Sequence, residues 1–460
     1  MVQNSKRLGK GVTRFAHFSL SVMDTQVAIG KPGFWSFPRL PILLFPLMIV
    51  TFILDRLRIH PDIAVSFSRP LHMIILFVMV ISLLMRGRIR VCSLTPPVLF
   101  LLTFNAALFI SLVFSYDFPI STSATLSLAQ QSLSGLLVGV FLINFWNMQY
   151  MNLLARMLCL VTVCSGLTII TDYLGLTSFK SLYLDQEIGR QIGILGEPNF
   201  AAGKLAIGFP FIVWAFLEAT ISRRVLSSIL YAIVCVIIIL AIFTTGSRMG
   251  IFMIGCLLIL ISIKERKRLL HPKIVTINVL LAVVFLSLLT GPFADAIRLL
   301  AERLMPIFFA IGGQELSELS AVKRLEYFIT GLDIFLDHPM FGIGLDGYRL
   351  IFPLYNSRFP TSWAHNTFIE VLVGTGLVGF ISFFALMVSI FTRFLGWQRG
   401  DKGNRLSFYF TLSLVMLIIH LFFLSDWPNR YLWNFFIPLS IYLEWFNKRR
   451  AMKEGLCKFQ

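Results

Sequence analysis

The chain has 460 residues, 57% hydrophobic and 14% charged, with a mean hydropathy of +0.81. Soluble domains carry roughly 25% charged residues, so a water-soluble enzyme is excluded and an all-α integral membrane protein is expected. The formal net charge of +17 fits cytoplasmic loops rich in Lys and Arg better than a nucleic-acid partner, and no nucleic-acid motif accompanies it.

In chain order, residues 1–37 form a polar, basic segment without the apolar run of a signal peptide. Nine spans are expected within 38–291, at about 38–55, 70–86, 96–114, 127–146, 151–171, 199–219, 225–243, 248–263 and 274–291. Each approaches the ~20 apolar residues that a membrane helix needs. Residues 292–364 form one large outer loop with helical patterning. Residues 365–447 hold three more spans, at about 366–391, 406–424 and 431–447, and 448–460 is a basic tail.

Orientation follows from Lys and Arg in the short loops. The N-terminus, the stretch 86–90, Arg223–Arg224, the stretch 264–268, the loop 393–405 and the tail all fall on one side if both termini are cytoplasmic. Arg56, Arg58 and Arg69 are exceptions in an outer loop and receive no role. Of the six cysteines, four fall inside spans and Cys92 and Cys457 in basic stretches. No disulfide framework is expected, and no spacing suggests zinc.

The outer-facing segments carry the candidate chemistry, since polar groups at membrane depth are costly. In "GRQIGILGEPNF", Arg190 is an outer-side cation, Pro198 breaks the chain and Asn199 is a candidate helix cap. Glu197 receives no firm role, and Lys204, one turn on, is expected to snorkel or pair with it. In "TTGSRMG", Arg248 opens a span behind a tight polar turn. Such a helix N-terminus offers N–H groups and a positive dipole end to an anion; the plainer alternative is a topological anchor. The stretch "GPFADAIRLLAERLMPIFF" reads as an amphipathic helix in the interface plane. "SAVKRLEYFITGLDIFLDHP" reads as another, with Leu325, Phe328, Ile329, Leu332, Phe335 and Leu336 on its apolar face and Arg324 on its polar face. Pro339 is expected to stop it at His338. "DHPMFGIGLDGY" lacks the spacing of a phosphate-binding P-loop. Finally, "AHNTFIEVLVGTG" puts His365 and Asn366 at the mouth of a span. Histidine titrates near neutral pH and suits a general base; Asn366 can orient its ring or cap the helix.

Arginines around one histidine suggest a reaction class. Guanidinium forks bind phosphate bidentately. A lipid diphosphate donor would keep its tail in the bilayer while arginines stabilise the leaving diphosphate and His365 deprotonates a sugar hydroxyl. No Asp-rich motif accompanies them, so no metal or other cofactor is expected.

Together "RQIGILGEPNFAAGKLAIGFP", "TTGSRMGIF", "RLEYFITGLDIFLDHPMFGIGLDGY" and "AHNTFIEVLVGTGLVGFISFF" resemble the O-antigen ligase and polymerase superfamily of bacterial envelope glycan enzymes, over about 190–385. The resemblance implies a GT-C-like fold of about twelve membrane helices with one structured periplasmic loop, in the bacterial inner membrane. It implies an inverting, metal-independent glycosyltransferase. The donor would be an undecaprenyl-diphosphate-linked glycan, and the acceptor lipid A–core for a ligase or another lipid-linked glycan for a polymerase. By resemblance His365 is the acceptor-activating base and Arg248 the diphosphate binder, with Arg190 and Arg324 as donor contacts; Asn199 and Asn366 join them as candidate substrate contacts. Ligase is the preferred reading. A secondary transporter, the alternative of another class, would place ionisable residues near the bilayer midplane.

Overall fold

The structure, a computed structural model, describes residues 26–28, 40–52, 58–60, 63–66, 68–86, 88–90, 94–178, 190–311, 319–359, 362–400 and 405–453. Most of the expected N-terminal segment, Arg56, Cys92, Cys457 and the last seven residues lie outside these. The fold is that of an all-α integral membrane protein. Helices stand over all twelve expected spans: α1 (Leu40–Val50), α2 (Ser68–Met85), α3 (Pro96–Val113), α4 (Phe118–Phe145), α5 (Met151–Tyr173), α6 (Pro198–Ile221), α7 (Val225–Thr244), α8 (Arg248–Leu269), α9 (Pro272–Thr290), α13 (Thr367–Gly400), α14 (Leu406–Phe423) and α15 (Ile437–Lys453). The loop before α13 contributes α10 (Ala294–Ile311), α11 (Leu319–Asp337) and α12 (Tyr348–Tyr355).

Among the described residues nine of these helices are long and apolar enough to cross a membrane, namely α2 to α7, α9, α13 and α14. The helices at the other three expected spans fall outside that set. Helix α1 is only 11 residues long, α8 ends on Arg266, Lys267 and Arg268, and α15 carries Lys448, Arg449 and Arg450. Two short antiparallel strand pairs were also not expected. One joins β1 (Gln26–Ala28) to β4 (Arg88–Arg90), and the other joins β2 (Arg58–His60) to β3 (Ile63–Ser66).

Helix starts follow local chemistry. Proline in the first turn, where the missing N–H costs nothing, opens α3, α4, α6 and α9. Helix α4 begins nine residues before the expected position 127 because Asp117 caps it, accepting from the Ile120 N–H at 2.9 Å. Helix α6 is the central member, almost wholly buried among α5, α7, α8 and α14. Gly250 of α8 faces Ala202 of α6 so closely that a β-carbon would collide with it. That close approach, enabled by small residues, sets the N-termini of α6 and α8 side by side.

The outer loop has its own core. Tyr327, Ile334, Ile343, Tyr348, Ile351 and Phe352 pack with Ala364, Ile369 and Val373, so α11 and α12 sit on the start of α13. Helix α11 ends at Asp337, one residue short of the stop expected from Pro339. Its buried side overlaps the expected face only in part: Leu332 and Phe335 pack against this core. Leu325, Phe328, Ile329 and Leu336 are exposed, while Tyr327 and Ile334 are buried and Gly331 lies against Ile369. Helix α10, expected to lie in the interface plane, packs against α7, α8 and α9.

Helix α13 is broken at Gly376 (φ 63°, ψ −167°), a backbone region essentially reserved for glycine. The glycine-rich loop 339–344 docks there. Ile343 and Gly344 N–H groups donate to the Val373 and Gly374 carbonyls at 3.0 and 2.9 Å, and the Leu377 N–H donates to Pro339 O at 2.8 Å. The "FGIGLDG" motif therefore replaces the backbone hydrogen bonds that the break releases, which a membrane-buried helix requires. Gly376→Ala would place a β-carbon inside contact distance of the Met340 carbonyl and the Phe341 nitrogen. It is expected to cost about 3 kcal/mol or more, read as a fall in Tm in detergent. Gly396→Ala, with nothing near its β-carbon, should leave Tm close to wild type. Equal Tm for both variants would refute the joint.

Candidate functional site

One cavity of about 400 Å³ gathers most of the polar residues singled out from sequence. Its lining includes Arg190, Glu197, Asn199, Arg248, Arg303, Lys323, Arg324, Tyr327, Ser362 and His365. Five of the six residues singled out from sequence meet here: Arg190, Asn199, Arg248, Arg324 and His365. Asn366 does not line it.

The floor is built from the two adjacent helix N-termini. Glu197 caps α6, accepting from the Asn199 and Phe200 N–H groups at 3.2 and 2.9 Å. The cap was expected at Asn199. It falls on Glu197 because Pro198 takes the first helical position. Asn199 is freed for a different task. Its Oδ1 accepts from Arg190 Nη2 at 3.0 Å and from Ser247 Oγ at 2.9 Å, and its Nδ2 donates to Glu197 Oε1 at 2.8 Å. Ser247 in turn caps α8. The "TTGS" turn, with Gly246 at φ +60°, presents the Thr245 carbonyl to Arg190 Nε at 2.8 Å. Arg190 is buried at 4% exposure; it braces both helix starts and adds its charge to their dipoles.

Helix α10 closes one wall. Arg303 Nη1 donates to Gly246 O at 3.0 Å, and Arg248 Nη1 donates to Arg303 O at 3.2 Å. Arg303 and Lys323 were missed by sequence reading. Both sit on amphipathic helices whose charges read as solvated faces, and only tertiary packing turns them inward.

The opposite wall carries His365, a non-glycine residue at φ 51°. Its Nε2 lies 3.3 Å from Ser362 Oγ, and its ring centroid is 5.9 Å from that of Tyr327. The loop is held from beneath. Glu370 Oε1 accepts from the Ala364 N–H at 3.1 Å. Asn366 Oδ1 caps α13, accepting from the Phe368 and Ile369 N–H groups at 2.9 and 3.1 Å. Thr367 Oγ1 donates to Leu424 O at 2.6 Å and accepts from the Asp426 N–H at 2.9 Å. Glu370, Thr367 and Asp426 were also not expected to matter; Glu370 reaches back to the loop just before its own helix, and Thr367 and Asp426 meet across 59 residues of sequence.

Burial, and then the nearby Arg324 charge, push the His365 pKa down from 6.5 to about 4. The ring is neutral at pH 7, as a proton acceptor must be. The sign follows from linkage. Between pH 6.5 and about 4 the unfolded chain binds the proton more readily than the folded one. This residue's contribution to stability is thus complete above 6.5 and is lost as pH falls towards 4. The acid limb of kcat/KM is expected below 6.5, and Arg324→Gln should move it upward. Identical limbs near 6.5 in both proteins would remove the assignment.

The arrangement can hold a diphosphate against guanidinium groups and helix N-termini, with a neutral imidazole facing it. Among the described residues no cluster of three or more His, Cys, Asp or Glu side chains could hold a metal ion. A family model described as O-antigen ligase matches residues 233–384. The match takes in Arg248, Arg303, Lys323, Arg324 and His365 but begins after Arg190 and Asn199. It supports the superfamily of O-antigen ligases and polymerases. No curated protein matches the chain.

Proposed function

We propose that this membrane protein, with its O-antigen ligase domain over residues 233–384, transfers a glycan from undecaprenyl diphosphate to lipid A–core at the periplasmic face of the bacterial inner membrane. One observation carries the proposal: three arginines from α8, α10 and α11, a fourth from the segment before α6, and a histidine from the loop before α13 line a single cavity.

In the proposed reaction His365 takes the proton of the acceptor hydroxyl. That oxygen attacks the anomeric carbon as the bond from carbon to phosphate oxygen breaks, and the electron pair leaves with the diphosphate. A single displacement inverts the anomeric configuration. The leaving group gains one negative charge, which Arg248 and its neighbours stabilise most in the transition state. The donor's own charge, once bound, offsets Arg324 and raises the basicity of His365.

The test is reconstitution of the purified full chain with one lipid-linked glycan donor and either lipid A–core or a second lipid-linked glycan. Product on lipid A–core is the expected result, undiminished by EDTA. Lengthened lipid-linked glycan would make the protein a polymerase that shares the donor site. Loss of activity in EDTA would bring a metal into the mechanism, and no product with either acceptor would overturn the proposal.

A further inference from the structure

We propose that the end of the bundle opposite the cavity carries a phosphate-binding site formed by Arg86, Arg90 and Arg449. Helix α4 links the two ends. Near its start the Tyr116 N–H bonds Ile343 O of the glycine-rich loop, and at its far end Asn144 bonds Arg90. Its 28 residues, at about 1.5 Å each, separate these ends by roughly 42 Å. The site is therefore independent of the chemistry described above.

Three segments meet there: the end of α2, strand β4 and the last turns of α15. The Arg86 guanidinium carbon lies 4.9 Å from the Phe145 ring centroid. The Arg90 and Arg449 guanidinium carbons lie 5.8 and 5.3 Å from the Trp445 ring centroid. Phe145 and Trp445 are themselves packed against the main core. Arg90 is fixed through its backbone, because its N–H donates to Asn144 Oδ1 at 2.9 Å and its carbonyl accepts from Asn144 Nδ2 at 2.8 Å. This is a built arrangement, not three free side chains.

Among the described residues no carboxylate pairs with Arg86, Arg90 or Arg449; the nearby Glu444 is taken by Arg393 at 2.8 Å and Lys448 at 3.6 Å. Burial, and then Arg90, lower the Arg86 pKa from its ordinary value, the direction expected of crowded like charges. A guanidinium engaged with an aromatic ring keeps N–H donors for a second partner. A phosphate group matches that donor set, and its charge relieves the repulsion. Two carriers present it: the head group of an anionic phospholipid and free inorganic phosphate.

The test uses the full-length protein in detergent. Tm is measured with phosphatidylglycerol, with phosphatidylcholine of the same acyl chains, or with inorganic phosphate. Phosphatidylglycerol is expected to raise Tm above the phosphatidylcholine value, and Arg86→Gln/Arg90→Gln/Arg449→Gln is expected to lose that rise. Should the triple variant not purify folded, Arg449→Gln alone, at an exposed position, should lose part of it. A rise with inorganic phosphate as well would show that the free ion suffices; a rise with phosphatidylglycerol alone would assign the lipid. Arg266→Gln/Lys267→Gln removes exposed charge at the same end and should keep the response. No rise over phosphatidylcholine with either probe, an undiminished rise in the variants, or equal loss in that control would overturn the site.

Discussion

His365→Ala is expected to abolish glycan transfer while leaving the protein folded. A positioned general base contributes about 10²–10⁴-fold to rate, so the residual activity should lie in that range below wild type or under detection. The structural cost is small. The His365 side chain caps no helix and fills no core; its polar contact is Ser362 Oγ at 3.3 Å. Its backbone, at φ 51°, is the sensitive part, because alanine tolerates that region poorly whereas asparagine enters it readily. His365→Asn is therefore the cleaner variant: it preserves the turn and removes the base. Initial rates with a defined donor and acceptor, measured beside Tm in the same detergent, decide the matter. Transfer within a few-fold of wild type by a folded His365→Asn protein would eliminate His365 as base.

Arg248→Lys should also lose most activity, although the charge is kept. Arg248 begins α8, lines the cavity and sends Nη1 to the Arg303 carbonyl, which helps to align its guanidinium plane there. An ammonium group is a point charge with no fork, so it cannot both hold α10 and bind a diphosphate bidentately. Loss of an aligned donor to a developing negative charge costs about 10²–10³-fold in kcat. The decrease should appear in kcat more than in KM, because the charge on the leaving group peaks late. Wild-type kcat in the lysine variant would reduce Arg248 to a topological anchor.

Much of the site was legible because it violates membrane rules. Arg190 and Arg248 are cations in segments that the charge pattern assigns to the outer side, where short loops shun them, and His365 interrupts the approach to an apolar run. Those anomalies survive without any alignment. Asn199 was legible as important but not for its reason. Its residue type advertises a cap, yet Pro198 at the first helical position shifts the cap to Glu197 and leaves Asn199 to bridge Arg190 and Ser247. Arg303 and Lys323 could not be read, since an amphipathic helix gives the same pattern against solvent, lipid or a cavity. The apolar face of α11 was right at Leu332 and Phe335 and wrong at its edges for a related reason: period alone counts Leu325 and Leu336, while Gly331, which lets α11 approach Ile369, has no hydropathy to register. The spans were clearest where charge was absent and least clear at the first two, the first of which forms only an 11-residue helix; at α8 and α15 basic last turns blur the apolar count.

The bonds from Thr367 to Leu424 and Asp426 carry a consequence for biosynthesis. Chains are made from the N-terminus, so every residue lining the cavity has left the ribosome before α14 exists. Until the segment after α14 arrives, the helix that begins behind His365 lacks this clamp. A nascent or prematurely terminated chain ending in α13 would thus hold the full set of cationic side chains, yet its histidine loop would not be fastened. Completion of the C-terminal third is then the last step in fastening the proposed base, after all the recognisable motifs have been translated.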